Sequence, residues 1–280
     1  MPEPLRRRRA MLFVGALALE ALPAALASGA DLVVLDLEDA VPPGRKDEGR
    51  EAVLAALRSL DLPPAAQLVA RVNEIGTAEG DADVAALART PGPLGALMLP
   101  KVNGPEAVTA ALAASGATAF EIYPIVETCE GLERCADIAR AAPAVKALVF
   151  GGFDLSTALG CEMAWEPLLY ARSRVVHAAA GAGRECLDSP FPAVDDLEAL
   201  RENCARAKAL GMTGKAAKHA SQVPGILAAF TPSAAEIERA RRILAAFQAD
   251  PTRPLVFEGK LVERPAIRRL ERIAAFTPGA

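Results

Sequence analysis

Short apolar runs recur along the chain, each followed by a longer stretch with helical spacing. This alternation constrains the fold most, because a run that is hydrophobic on both faces suits a parallel strand covered by helices. The runs are Met11–Val14, Leu32–Leu37, Leu68–Val72, Ala96–Leu99, Glu121–Val126 and Ala147–Phe150, with two further segments at Glu185–Phe191 and Met212–Ala217. Eight β-then-α units predict an α/β fold, a closed (β/α)8 TIM barrel, rather than an open doubly wound sheet.

The pattern changes after Ala229. Pro232 and Ser233 precede a predicted helix, Ala234–Phe247, and a last helix is predicted from about Pro265. We therefore expect a catalytic barrel over residues 1–229 and a short C-terminal helical extension or lid over residues 230–280. The length of 280 residues fits one barrel, which typically takes about 250 residues.

Composition excludes several classes of protein. The formal charge of −4 comes from interspersed acids and bases, so the chain lacks the basic surface that nucleic-acid binding requires. The cysteines are odd in number, five, and form no CxxC pair, which argues against a disulfide framework or a zinc site. No run approaches the roughly 20 apolar residues of a membrane span.

The N-terminus resembles a secretion signal, since an arginine run at positions 6–9 precedes the apolar stretch Ala10–Ala27. Glu20 and Pro23 interrupt that stretch, and the barrel pattern needs it as the first strand and helix. We therefore predict a cytoplasmic protein with reduced thiols and without a membrane partner.

Catalytic groups of a barrel lie where strands end, so polar residues directly after the apolar runs are the candidates. They are Asp36, Glu38, Asp39, Arg71, Asn73, Lys101, Glu127, Asp154, Lys215 and His219. Oxygen ligands without a cysteine or histidine pair at metal spacing indicate Mg²⁺, with Mn²⁺ possible.

Glu127 and Asp154 end adjacent runs and can converge on one metal ion. Gly151 and Gly152 let the backbone approach a ligand closely. The alternative is that each carboxylate only caps the helix that follows it.

The three acids Asp36, Glu38 and Asp39 also have two interpretations. They can form an outer shell that orients metal-bound water, or they can pair with Arg71 and Lys101. Arg71 itself offers a fork of donors for a carboxylate, a thioester oxygen or an enolate, unless it is a buried structural ion pair.

The two histidines and the cysteines carry weaker signals. His219 is a candidate for substrate binding or acid–base chemistry, with a packed or hydrogen-bonded core residue as the alternative. His177 lies in a helical stretch and is interpreted as structural. The cysteines are interpreted as core filling, because no base is evident beside them.

Several motifs occur in a characteristic order: LDLEDAV followed by Lys46 and Arg50, then ARVN, LPKV, PIVET with Gly131, FGGFDLS and GKAAKHASQV. A weaker echo, EGKLVERP, spans Glu258–Pro265. The ordered series, from about Met11 to Val223, resembles the citrate lyase beta-subunit-like branch of the HpcH/HpaI aldolase and citrate lyase superfamily.

The resemblance implies a barrel that often forms homo-oligomers, trimers or hexamers, and small CoA esters of hydroxy acids as substrates. It implies a Mg²⁺-dependent lyase that cleaves or condenses malyl-, methylmalyl-, citramalyl- or citryl-thioesters. Citramalyl-, malyl- and citryl-CoA give acetyl-CoA and a 2-oxo acid. A C-terminal aspartate, donated by a neighbouring subunit, is associated with proton transfer in this family; Glu263 stands at the matching place here.

The predicted site follows from the residues and the resemblance together. Glu127 and Asp154 hold the metal, Arg71 and Glu263 act in catalysis, and the acids at 36, 38 and 39 form the outer shell. The residues expected to contact substrate are Arg71, Lys101, Glu127, Asp154 and His219.

This chain also departs from the family pattern. It reads FVGALALEAL over Phe13–Leu22, where the family commonly has a proline and a basic residue, and His219-Ala220 where His-Pro is usual. Two other functions therefore stay open: a class II aldolase of free 2-oxo acids, which needs no CoA, and a citrate lyase beta subunit that works only with an acyl-carrier-protein partner. A degenerate barrel used for binding is disfavoured, because Arg71, Glu127 and Asp154 are retained.

Overall fold

The computed structural model describes residues 7–60, 66–116, 118–249 and 254–276. The chain divides into two units, one ending at Phe230 and the other beginning at Thr231. In these described ranges, none of the helices is both long enough and apolar enough to cross a bilayer.

The first unit is a closed barrel of parallel strands in sequential order. The strands are β1 Ala10–Gly15, β2 Leu32–Asp36, β3 Gln67–Arg71, β4 Leu94–Leu99, β5 Glu121–Val126, β6 Ala147–Phe150, β7 Glu185–Asp188 and β8 Gly214–Ala217. Because β1 pairs with both β2 and β8, the sheet closes on itself. The predicted TIM barrel is confirmed, and the open sheet is excluded.

Helices follow the strands around the barrel. They are α1 Leu22–Ala27, α2 Lys46–Ser59, α3 Ala78–Arg89, α4 Pro105–Ser115, α5 Cys129–Glu133, α6 Cys135–Arg140, α7 Gly152–Leu159, α8 Leu169–Gly181, α9 Leu197–Leu210 and α10 Val223–Phe230. Short 3₁₀ turns occupy Leu19–Ala21 and Ala220–Gln222.

The second unit contains α11 Ala234–Ala249 and α12 Arg264–Ala274. Between them lies an antiparallel hairpin of β9 Leu255–Phe257 and β10 Lys260–Val262. Both helices were predicted and the hairpin was not, because three-residue strands are too short to display an alternating pattern.

The core has two layers, which explains why the strand runs are apolar on both faces. Inside the barrel, Met11, Val34, Met98 and Tyr123 belong to one buried cluster. Between the sheet and the helices, Leu12, Leu35 and Leu97 belong to a second. Successive side chains of a strand thus fill opposite layers.

Arg8 closes the end of the barrel at which the strands begin. Its Nε donates to the Tyr123 hydroxyl (2.7 Å), and its other nitrogens pair with Glu121 and Glu185 at 2.9 Å. Tyr123 also contacts Gln67 (2.8 Å). The predicted role of the N-terminal stretch as first strand and helix is confirmed, with Arg8 as an integral part; Arg6 of the arginine run lies outside the described residues.

A buried ion triad ties the outer face of the barrel to α8. Lys215 Nζ donates to Asp188 (2.6 Å) and to the Ser189 carbonyl (2.7 Å), while Arg172 Nε donates to Asp188 (3.1 Å). The neighbouring residues Leu187 and Ala216 belong to the interior cluster, so Asp188 and Lys215 point outward. Lys215, a candidate by sequence position, is therefore structural.

We expect Asp188→Asn to lower the free energy of unfolding by about 3–5 kcal/mol, because it leaves two buried cations without a counter-charge. Burial raises the pKa of Asp188, but Lys215 and Arg172 more than offset this and hold it below its usual value. The contribution is therefore complete above the unfolded pKa of about 3.9 and is lost as the pH falls through the lower folded pKa.

Urea unfolding between pH 3 and 7, with the exposed Asp195→Asn as control, measures this. An equal acid dependence in Asp188→Asn and wild type would refute the assignment.

Candidate active site

Asp36 and Arg71 end adjacent strands and are register partners in the ladder between β2 and β3. Arg71 donates from Nε to Asp36 Oδ1 (2.7 Å) and from Nη2 to Oδ2 (2.6 Å). This bidentate geometry holds the guanidinium rigidly. The third guanidinium nitrogen, Nη1, points toward other acidic side chains.

Two further acids share Nη1 of Arg71. Glu38 Oε2 lies 2.9 Å from it and Asp39 Oδ2 lies 3.2 Å from it. Glu38 Oε1 also accepts from Lys101 Nζ (2.7 Å). The structure shows the three acids paired with Arg71 and Lys101. Their role as an outer shell that orients metal-bound water stays a prediction.

Glu38 keeps an unused acceptor. Its Oε2 is buried and accepts no hydrogen bond within the described part of the chain, since the contact with Arg71 is an ion pair without hydrogen-bond geometry. Burial raises the pKa of Glu38, against the opposing effects of Arg71 and Lys101.

Phe13, near the end of β1, completes the surroundings of Arg71, whose guanidinium carbon lies 5.2 Å from the ring centroid. A cation over an aromatic face is stabilised electrostatically and fixed in orientation. Sequence reasoning treated Phe13 as part of an apolar strand. The sequence signal available was its position two residues before Gly15, the last residue of β1.

Glu127 follows β5 and is 4% exposed. Its Oε1 accepts from the backbone N–H of Lys101 (2.7 Å). Burial raises the pKa of Glu127 to about 8, with the Asp154 and Glu38 charges adding to the rise. The nearby positive charge of Arg71 does not offset burial and the neighbouring carboxylates, so the charged form of Glu127 is unfavourable.

Asp154 is exposed and lies in the first turn of α7. The N-cap of α7 is Gly151, and Thr128 caps α5 by accepting from the Gly131 N–H (2.9 Å). Neither Glu127 nor Asp154 is an N-cap, so the alternative of simple helix capping does not describe this structure.

The donor set fits a hard divalent cation. Around Arg71 and Lys101 lie five carboxylates, at positions 36, 38, 39, 127 and 154, a formal excess of three negative charges. In the described ranges, three or more His, Cys, Asp or Glu side chains do not cluster in a metal-binding group. Two carboxylates completed by water and substrate are nevertheless the usual protein share for Mg²⁺.

Asn73 supports the site from behind. Its Nδ2 donates to the Leu37 carbonyl (3.1 Å) and to Asp83 (2.7 Å), and Asp83 also accepts from Arg50 (2.7 Å). Asn73 therefore braces the end of β2 through Leu37.

His219 follows β8 but is exposed, and its Nδ1 accepts from the Ser221 N–H (3.2 Å) to cap the short turn after it. Its exposure excludes the alternative of a core histidine, although the ring is hydrogen-bonded; direct substrate contact stays a prediction. His177 is exposed on α8. Cys135, Cys186 and Cys204 are buried as expected, whereas Cys129 is exposed and Cys161 half-buried.

A groove of about 480 Å³ adjoins this end of the barrel. Glu38, Lys101 and Asn73 lie along it, together with the loop from Pro42 to Gly44. The site is therefore open to a ligand from the side of the loops that follow β2 and β3.

Glu263 belongs to the second unit and is exposed at the N-cap of α12. Its side chain forms no capping hydrogen bond.

A (β/α)8 barrel with an arginine and two carboxylates suited to a divalent metal ion, at or just after the ends of its strands, is the arrangement of a metal-dependent aldolase or lyase. The chain belongs to the HpcH/HpaI aldolase/citrate lyase family, whose model matches residues 9–220. The predicted family is confirmed.

Individual relatives cover nearly the whole chain. An L-malyl-CoA/beta-methylmalyl-CoA lyase of Cereibacter sphaeroides is 32% identical over 97% of this chain and 95% of its own length. A mitochondrial citramalyl-CoA lyase of Rattus norvegicus is 28% identical over 87% and 78%. The crystal structure of protein CitE from Mycobacterium tuberculosis, in complex with magnesium, acetoacetate and coenzyme A, superimposes with a TM-score of 0.78 at 32% identity over 96% and 99%.

We expect Gly151→Ala to lower the affinity for Mg²⁺ about 10–100-fold, the range seen when the support of a ligand is lost. A β-carbon at residue 151 would lie 2.4 Å from the Glu127 Cβ and 2.6 Å from its Oε2, so it would displace the carboxylate. The φ of −97° tolerates alanine, so backbone strain does not confound the test.

Isothermal titration with Mg²⁺ measures this effect. Gly225→Ala is the control, since its added carbon would meet only Leu200 at 3.8 Å. Unchanged affinity in Gly151→Ala would exclude Glu127 as a ligand.

Proposed function

We propose that this protein is a Mg²⁺-dependent carbon–carbon lyase that cleaves, or forms by condensation, a small 3-hydroxyacyl-CoA thioester such as citramalyl-CoA, malyl-CoA or citryl-CoA. The observation that carries the proposal is the buried Glu127 carboxylate beside Asp154 and the Arg71 cluster, with its excess of negative charge. The names of the relatives support the substrate class, and the magnesium and coenzyme A bound to the CitE structure support the cofactor and the carrier.

In this proposal Glu127 and Asp154 hold the metal. When bound, Mg²⁺ supplies Lewis-acid chemistry, acidifying the substrate hydroxyl and stabilising the 2-oxo acid. Asp36 fixes the Arg71 guanidinium so that the N–H groups not bonded to Asp36 or Asp39 can face the thioester oxygen, where negative charge develops as the bond breaks. Because the guanidinium is held in advance, little reorganisation is needed during the reaction.

The bond between the hydroxyl-bearing carbon and the thioester α-carbon breaks. Its electron pair passes to the thioester as an enolate. The hydroxyl proton passes to solvent water, and the electron pair of the O–H bond forms the C=O of the 2-oxo acid. The enolate α-carbon then gains a proton to give acetyl-CoA. Condensation runs through the same steps in reverse.

Glu263 is proposed as the group that delivers this proton. It is exposed at the start of α12 without a capping bond, so its carboxyl is available. We propose that the unit after Phe230 is a lid and that a neighbouring subunit of a homo-oligomer, a trimer or hexamer, donates Glu263. We propose His219 as a further substrate contact at the end of β8.

We place the protein in the cytoplasm, and the support is that all five cysteines are free. The expected partners are the acyl-CoA or oxo-acid substrate and other copies of the chain. Nucleic acid is not among them.

We expect Asp154→Asn to abolish magnesium-dependent cleavage of a panel of thioesters, measured as release of acetyl-CoA from malyl-, citramalyl- and citryl-CoA and of propionyl-CoA from methylmalyl-CoA. The loss in Mg²⁺ affinity should exceed the roughly 100-fold that follows loss of an outer support. Asp195→Asn serves as the control. If wild type cleaves none of these thioesters, even with Mn²⁺, the lyase proposal is replaced by one of the two alternatives. These are an aldolase of free 2-oxo acids and a beta subunit that works only with an acyl-carrier-protein partner.

We expect Glu263→Gln to lower kcat about 10²–10⁴-fold, the usual contribution of a general acid, with little change in KM. Glu263→Asp, which restores the family residue, should retain activity. Steady-state kinetics on the thioester that wild type cleaves measures both, and a Glu263→Gln variant with wild-type kcat would remove Glu263 from the reaction.

A further inference from the structure

Lys101 has a φ of 51°, a left-handed conformation that residues with a β-carbon seldom adopt. In the described residues, Glu258 alone among the other non-glycine residues shares a positive φ, and it lies in the tight turn between β9 and β10. Lys101 instead follows β4 at the candidate site. Strain of this kind persists where surrounding interactions over-determine it.

Both ends of Lys101 are engaged at the site. The backbone N–H donates to Glu127 Oε1 and Nζ donates to Glu38 Oε1, each at 2.7 Å. Glu38 in turn lies 2.9 Å from Nη1 of Arg71. One residue thus connects the buried carboxylate proposed to hold the metal with the arginine proposed to face the thioester.

We propose that Lys101 is a positioning residue, whose left-handed backbone aims Glu127 and whose ammonium holds Glu38 against Arg71. This inference rests on the proposed function for the identity of the site. It replaces the direct substrate contact expected from the LPKV motif.

The surroundings of the ammonium favour this role over substrate binding. The Glu38 side chain is 7% exposed, whereas that of Lys101 is 39% exposed. If the ammonium turned to a substrate anion, the buried Glu38 would lose the one cation that is hydrogen-bonded to its side chain among the described residues, because its contact with Arg71 lacks hydrogen-bond geometry. Leaving a buried charge without such a partner is unfavourable.

The backbone role is tested with three variants that all remove the ammonium but differ in tolerance of positive φ. Lys101→Gly accepts it freely, Lys101→Met accepts it about as poorly as lysine, and Lys101→Val, which is β-branched, opposes it most. The measurement is the Mn²⁺ dissociation constant by electron paramagnetic resonance, without substrate.

We expect Lys101→Val to raise the Mn²⁺ dissociation constant about 10–100-fold. Lys101→Gly and Lys101→Met should stay near wild type, because neither residue opposes a positive φ more than lysine does. Glu258→Val imposes the same backbone conflict in the hairpin and should leave Mn²⁺ affinity unchanged. Equal dissociation constants for the three Lys101 variants, or a wild type that does not bind Mn²⁺, would overturn the backbone role.

The ammonium role is tested by steady-state kinetics of Lys101→Met and Lys101→Arg. We expect Lys101→Met to lower kcat about tenfold or more with little change in KM, and Lys101→Arg to restore most of it. A rise in KM alone would instead assign Lys101 to substrate binding.

The two proposals fail separately. The metal measurement uses no thioester, so the order among the Lys101 variants can hold even if wild type cleaves none of the thioesters. That result would overturn the lyase proposal and retain the positioning role. If wild type cleaves a thioester but the three Lys101 variants bind Mn²⁺ equally well, the lyase proposal stands and the backbone role of Lys101 is overturned.

Discussion

The bidentate pair between Asp36 and Arg71 organises one end of this barrel. It joins the last residues of β2 and β3, which the ladder already places side by side. Because Asp36 occupies two nitrogens of the fork, only Nη1 is directed at Glu38 and Asp39. A guanidinium held this way presents a fixed donor without losing further side-chain entropy.

Around the pair of Asp36 and Arg71, the site carries more negative than positive charge. Arg71 and Lys101 are shared among several carboxylates, and the buried Glu127 has its carboxylate directed by a single backbone N–H. Burial penalises the charged form of such a group. A divalent cation would relieve this imbalance, so the electrostatics of the site agree with the proposed chemistry.

Ionic groups that stabilise the barrel are separate from the groups of the candidate active site. Outward residues such as Asp188 and Lys215 form the triad with Arg172, and Arg8 closes the opposite end of the barrel with Glu121 and Glu185. Arg8 lies at the opposite end of the barrel from Arg71 and Glu127, and the triad faces outward from the sheet although Asp188 is the last residue of β7. Function is therefore concentrated where the strands end, as is general for this architecture.

The order of apolar runs, the motif series and the polar residue after each run were sufficient to predict the barrel and the family, and to nominate Arg71, Glu127 and Asp154. These features depend on local spacing and on residue type, which the chain itself displays. Lys215 shows the limit, because a one-residue difference along a strand reverses the face on which a side chain lies.

The pairing inside the site depended on tertiary structure. Arg71 binds Asp36 and stacks on Phe13, and Lys101 adopts a left-handed backbone to reach Glu127. Each of these contacts joins residues that are distant in sequence. Residue type and local spacing determined the fold and the inventory of chemical groups. Only closure of the barrel decided their partners, because it brings the ends of separate strands together and removes them from water.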